Sequence, residues 1–135
     1  MASRGSAAKN GHVGTSEYKT VSITNTGAKI LEGYDKQHHS LPDYSHTPNS
    51  VYVKLKKDGK TLHELRIYDS NGNPVIEIAY HPEPAINNGS YDDVVHFHFF
   101  KKNLDRVLGG RVRDYPDIKE KYAKYLKEFG LYEKC

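Results

Sequence analysis

Cysteine is almost missing from this chain: the one cysteine among 135 residues is Cys135, the last. No internal disulfide can form, so the fold must hold by packing alone, as suits a reducing cytoplasm. Long apolar runs are missing too. No stretch approaches the roughly 18 apolar residues of a membrane span, and the N-terminus lacks the apolar run of a signal peptide. The expectation is a cytoplasmic protein with no membrane partner. Strong charge of either sign is lacking. The formal net charge is +3 and the pI about 8.8, compatible with an anionic partner without demanding one.

Several motif classes are absent as well. There is no phosphate-binding glycine loop, no HExxH and no paired CxxC. His81-Pro82-Glu83 has the H-x-E form of the zinc deaminases, but the proline–cysteine pair that completes that signature does not follow. The place of Cys135, after the predicted terminal helix, argues against a Cys–His nucleophile.

At 135 residues the chain suits one domain with a real core. Residues 1–16 are small, polar and glycine-rich, and are predicted to be a disordered arm. Residues 17–135 are read as a single α+β domain. Residues 19–23 can form a short strand with Val21 and Ile23 on one side, and 27–31 a second strand or a helical turn. Residues 35–49 hold two prolines and His38, His39 and His46, and read as a long loop.

Residues 51–100 read as consecutive strands. In 51–55, Val51, Val53 and Leu55 face one way, Tyr52 and Lys54 the other. A two-residue turn at Asp58-Gly59 would pair Val51 with Arg66. A three-residue loop pairs Val51 with Leu65 and Val53 with His63, and keeps one face apolar, so it is preferred. Asn71-Gly72 is a strong hairpin signal. A two-residue turn there pairs Ile67 with Ile76, Leu65 with Ile78 and His63 with Tyr80. Arg66 then lies opposite Glu77, on the other face. His63 falls among the apolar groups as a hydrogen-bonded, partly buried histidine. In 93–100, Val95, Phe97 and Phe99 point to the core, and His96 and His98 join Arg66 and Glu77.

Residues 101–113 read as a basic, glycine-flexible loop. The chain then ends in a helix begun by Asp114 or Tyr115, with Pro116 in its first turn. Ile118, Tyr122, Tyr125, Leu126 and Phe129 form its apolar stripe, and Gly130 terminates it. The predicted fold is an antiparallel β-meander of about four to six strands, with this helix packed on one face.

Glu77, Arg66, His96 and His98 thus share a face with Tyr52, Lys54 and Tyr68. Cleavage of RNA by its own 2′-hydroxyl needs a base, an acid and a cation for the phosphorane. The set resembles that of barnase-like ribonucleases, where an antiparallel sheet presents such residues on one face. The resemblance covers residue types and architecture over the central strands. Helix order departs from it, since that family places its helices before the sheet. It implies Glu77 as base, His98 or His96 as acid, and Arg66 with Lys54 on the phosphate. Tyr52, Tyr68 and His81 complete the expected substrate contacts, with tyrosines as stacking platforms. The plain alternative is a solvated face whose Arg–Glu pair is worth about 0.2–1 kcal/mol. His96 and His98, with His81 or Glu83, have the spacing to reach a zinc ion, but no third ligand is assured. No metal and no cofactor are therefore expected.

The runs Gly11-His12-Val13-Gly14-Thr15 and Val51-Tyr52-Val53-Lys54-Leu55, with His-Pro-Glu-Pro and His-Phe-His, resemble small phage- or prophage-encoded proteins of Gram-positive bacteria. That resemblance implies a phage-borne accessory protein, a toxin domain or a packaging-module protein. The partner classes expected from the two resemblances together are RNA, an inhibitor or another phage protein. The leading expectation is a metal-independent endoribonuclease. The alternative is a non-enzymatic phage accessory or interaction protein that uses the same face.

Overall fold

The computed structural model describes residues 18–33 and 41–135. The predicted arm, and Asp35, His38 and His39, lie outside the described residues. Seven strands form one sheet in chain order: β1 (Tyr18–Ile23), β2 (Lys29–Gly33), β3 (Val51–Leu55), β4 (Leu62–Tyr68), β5 (Pro74–Pro82), β6 (Asp93–Phe100) and β7 (Arg106–Arg111). Neighbours are antiparallel except β2 and β3, which run parallel. The architecture is α+β, with more strands than expected. The extra strand, β7, comes from the segment read as a flexible basic loop. Its glycines serve packing: a Cβ on Gly109 would stand 2.1 Å from the Phe97 ring, so only glycine lets β7 lie against that aromatic.

The β4–β5 hairpin has the predicted pairs Ile67–Ile76, Leu65–Ile78 and Arg66–Glu77. Its turn is wider than two residues. Asp69 and Asn73 close it, Gly72 donates to Asp69 O, and a bulge with Val75 as the extra residue of β5, opposite Tyr68, absorbs the difference. The β3–β4 register differs from expectation by two residues: Val51 pairs with Ile67 and Val53 with Leu65. The cause is a longer loop. Lys56 donates to Thr61 O, and the Asp58 carboxylate takes the backbone N–H of Lys60 and of Thr61, each at 2.8 Å. An even shift preserves the faces, so the apolar face survives the error.

The apolar face carries Val51, Val53, Leu62, Leu65, Ile76, Ile78, Val95 and Phe97. Two short helices, α1 (Pro116–Lys121) and α2 (Ala123–Glu128), replace the single predicted one. Their break lies at Tyr122. The predicted stripe still holds: Leu126 is buried, and Ile118, Tyr122, Tyr125 and Phe129 pack on the core. Gly130 (φ +71°) ends the segment. Phe99, expected in the core, stays 45% exposed because the helical cover stops beside it. It borders a groove of about 410 Å³ shared with Phe97, Tyr115, Pro116 and Ile118. No helix among the described residues is long and apolar enough to cross a membrane.

A second, smaller core forms on the opposite face. Leu41 covers Tyr52 and Tyr68 there, with Tyr18 and Leu31. Residues 41–50 bind this face through Ser45, whose Oγ lies 2.7 Å from Tyr52 Oη, and through Pro42 O, which accepts from Tyr68 Oη.

Candidate functional site

The open, solvated polar face expected from the strand pattern is not what the chain builds. Arg66 is 4% exposed, Glu77 0%, His96 0% and His98 5%. Arg66 donates Nε and Nη2 to Glu77 Oε1 at 3.0 and 2.7 Å, and Nη1 to Leu41 O and Pro42 O at 3.0 and 3.1 Å. Most of its guanidinium donors are spent inside the protein, so it is a structural cation rather than an open phosphate ligand. Tyr52 and Tyr68 are equally enclosed, at 0% and 1% exposure, and offer no stacking surface. The expected residues do meet on one face. Residues 41–50 close Tyr52, Arg66 and Tyr68 off from solvent, and Glu77, His96 and His98 are buried beside them.

Glu77 is the hub of the buried layer. Its Oε2 accepts from Arg106 Nη1 at 2.7 Å and lies 3.8 Å from His98 Nδ1. Burial works to raise its pKa. The guanidinium of Arg66, with Arg106 and His98 behind it, outweighs burial and holds the carboxyl below its ordinary value. A carboxylate so held is a poor proton acceptor near neutral pH.

His98 goes the other way. Burial, then the charge of Arg106, depresses its pKa to about 4, so it is neutral where a general acid would need its proton. The unfolded chain takes up this proton near pH 6.5, and the folded chain resists until about 4. In that window the unfolded state binds more protons. The contribution of His98 is therefore complete above pH 6.5 and fades as pH falls toward 4, by about 2–3 kcal/mol. Urea titrations at pH 7 and pH 4.5 should show a drop that His98→Gln reduces. An equal drop in both proteins would assign acid sensitivity elsewhere.

A more accessible layer surrounds Glu64, which is itself 8% exposed and which register places directly across from Lys54. Glu64 Oε2 lies 3.9 Å from His63 Nε2, 3.9 Å from His81 Nε2 and 3.9 Å from Arg106 Nη1. Burial, then the neighbouring Glu77 charge, raises the Glu64 pKa, with Lys54, Arg66 and Arg106 pulling the other way. Burial lowers that of Lys54. His81 Nδ1 sits 3.0 Å from Pro82 O, which orients Nε2 toward Glu64. The side chains of His63, His81 and Arg106 remain 21%, 22% and 44% exposed.

His63 reaches this layer through a bulge. Lys54 pairs with Glu64, but Leu55 pairs with Leu62, leaving His63 as the extra residue of β4. Leu62 and Leu65 thus both enter the core, and His63 turns to the polar face, its ring 5.0 Å from that of His81. The apolar-face position beside Tyr80 is corrected accordingly. Glu64 was readable, since it precedes Arg66 by two and shares its face. Arg106 was hidden in a segment that gave no strand signal.

The histidine rings form a row. His81 lies 4.7 Å from His96, and His96 lies 5.2 Å from His98. Ala79, paired with His96, leaves room for the ring between Glu77 and His81. The chain matches no protein-family model, no curated protein and no solved structure.

Proposed function

We propose that the chain is a metal-independent RNA phosphodiester-cleaving enzyme whose acid–base centre is Glu64, with His81, His63, Arg106 and Lys54. The observation that carries this reading is the meeting of two imidazole nitrogens and a guanidinium around one raised-pKa carboxylate, each at 3.9 Å. Glu64 takes the proton of the 2′-hydroxyl as that oxygen bonds to phosphorus. The P–O5′ bond breaks, and His81 in its imidazolium form protonates the departing O5′. Arg106 and Lys54 offset the charge of the phosphorane. Glu77, Arg66, His96 and His98 act beneath them by fixing Arg106 and the sheet. The base role thus moves from Glu77 to Glu64, because a useful base needs a pKa near the working pH. A phage-borne toxin domain fits this activity, with RNA as substrate and an inhibitor protein as its counterpart.

Glu64→Gln and His81→Ala should each lower RNA cleavage by about 10²–10⁴-fold. RNA affinity and the melting temperature should change little. Asp58→Asn, in an exposed loop, should leave the rate unchanged. Full activity in Glu64→Gln would refute the assignment. RNA bound but uncut by the wild-type protein would put an interaction domain in its place.

A further inference from the structure

The row of histidines continues past the Glu64 centre to residues that it does not use. We propose that Glu83, His96 and His98 bind a divalent transition-metal ion of the zinc class. One ligand atom from each of the three lies within 4.8 Å of the others. His96 Nε2 and His98 Nδ1 are buried and make no hydrogen bond. A buried polar atom without a partner is costly and rare, so two side by side on one face call for an explanation.

The tautomer of His96 sharpens the point. Its Nδ1 stands 2.8 Å from Val94 O, and a carbonyl only accepts, so the ring proton is on Nδ1. The bare lone pair of Nε2 then faces Glu83 Oε1 at 3.8 Å. Two acceptors confront each other with nothing donated between them. A cation resolves this, and a carbonyl-anchored imidazole is how metal-ligating histidines are commonly held.

The other side chains support a metal ligand more than a structural role. Glu83 precedes the 3-10 turn Pro84–Ile86, yet its carboxylate makes no cap to it. Its side chain is 27% exposed, so it has room to draw in from 3.8 Å of His96 Nε2 toward the roughly 3.4 Å that separates tetrahedral ligands. His98 Nδ1 also faces Glu77 Oε2 at 3.8 Å, which adds negative charge. Arg106 opposes the ion, but its Nη1 is already bound to Glu77. His81 borders the site by its ring edge. The three ligands leave a fourth position for water.

His63, Glu64 and His81 also have ligand atoms that converge. There Lys54, Arg66 and Arg106 all bear on Glu64, and that positive charge disfavours a divalent ion. The metal thus takes the other end of the row, and the cleavage centre keeps its proton chemistry.

The test is equilibrium dialysis of the full chain with Zn²⁺ at pH 7.5, in a Cys135→Ser background that removes the terminal thiol. One ion should bind per chain. Co²⁺ in its place should give the intense visible absorption of a tetrahedral site. Groups that merely orient a ligand are worth about 10–100-fold in affinity, so Glu83→Gln and His96→Gln should each weaken binding by about 100-fold or more. Glu83→Gln alters a partly exposed side chain and keeps the test alive if His96→Gln fails to fold. His63→Gln should leave affinity unchanged. Absence of binding at micromolar Zn²⁺, or binding that survives Glu83→Gln and is lost in His63→Gln, would overturn the site. No RNA enters the measurement, so its outcome is separate from the cleavage reading.

Discussion

Replacing Glu77 by glutamine should destabilise the protein by about 3–5 kcal/mol, as is typical when one partner of a buried ion pair is removed. The carboxylate is fully buried and receives Arg66 on one oxygen and Arg106 on the other. Glutamine keeps the shape and removes the charge. Arg66, itself 4% exposed, would then hold a buried positive charge bonded to only two neutral carbonyls, Leu41 O and Pro42 O, with the half-exposed Asp43 carboxylate 4.0 Å away. Urea denaturation at pH 7 gives the number. The double replacement Arg66→Met with Glu77→Leu should recover much of the loss, because no charge is left stranded. A loss below about 1 kcal/mol in Glu77→Gln would mean the pair is solvated like a surface salt bridge, and that residues 41–50 do not close this face.

Phe97→Ala should cost about 3–5 kcal/mol, the range for deleting a buried aromatic ring. Phe97 is 1% exposed, its ring rests against Gly109, and it lies 5.1 Å from Tyr115 and 5.2 Å from Phe99. The cavity cannot collapse easily, since Gly109 has no side chain to lend and belongs to a paired strand. His98→Ala should cost less. Solvent is not the reason, because His98 is 5% exposed. The reason is that the buried Nδ1 has no hydrogen bond to lose. Thermal melts that rank His98→Ala as the more damaging would show that the facing of β6 is inverted.

Much of the fold is written in strand parity. The pair Arg66–Glu77 follows from apolar alternation on either side of Asn71-Gly72, and the bulge at Val75, opposite Tyr68, leaves that parity intact. Asp93–Phe100 alternates so strictly that its faces follow from the sequence alone. Parity fails where a strand carries an extra residue. The bulge at His63 flips one imidazole to the other face, and nothing in the local pattern announces it. The β3–β4 register missed by two because the Asp58 carboxylate builds a longer loop than the Asp-Gly pair suggests. The strand β7 escaped because its two glycines read as flexibility, when one of them is fitted to an aromatic ring from another strand.

The candidate site was half legible for the same reason. Which residues share a face is a local property, and Arg66, Glu77, His96 and His98 do share one. Which of them a substrate can reach is not local. For Arg66 and Tyr68 it depends on Leu41 and Pro42, which fold back onto them across more than twenty residues of chain. The reachable groups are then His63, His81 and Arg106, which are partly exposed and stand around the buried Glu64.

The central claim is that this outer layer cleaves RNA through the 2′-hydroxyl. The most direct measurement is the end-group chemistry of an RNA oligonucleotide incubated with purified protein in EDTA, beside Glu64→Gln and beside the same oligonucleotide in DNA. The account predicts fragments ending in 2′,3′-cyclic phosphate from the wild-type protein, a strongly reduced yield from Glu64→Gln and intact DNA. Intact RNA at high protein concentration, fragments with 3′-hydroxyl ends, or cleavage that returns only when zinc is added would contradict it.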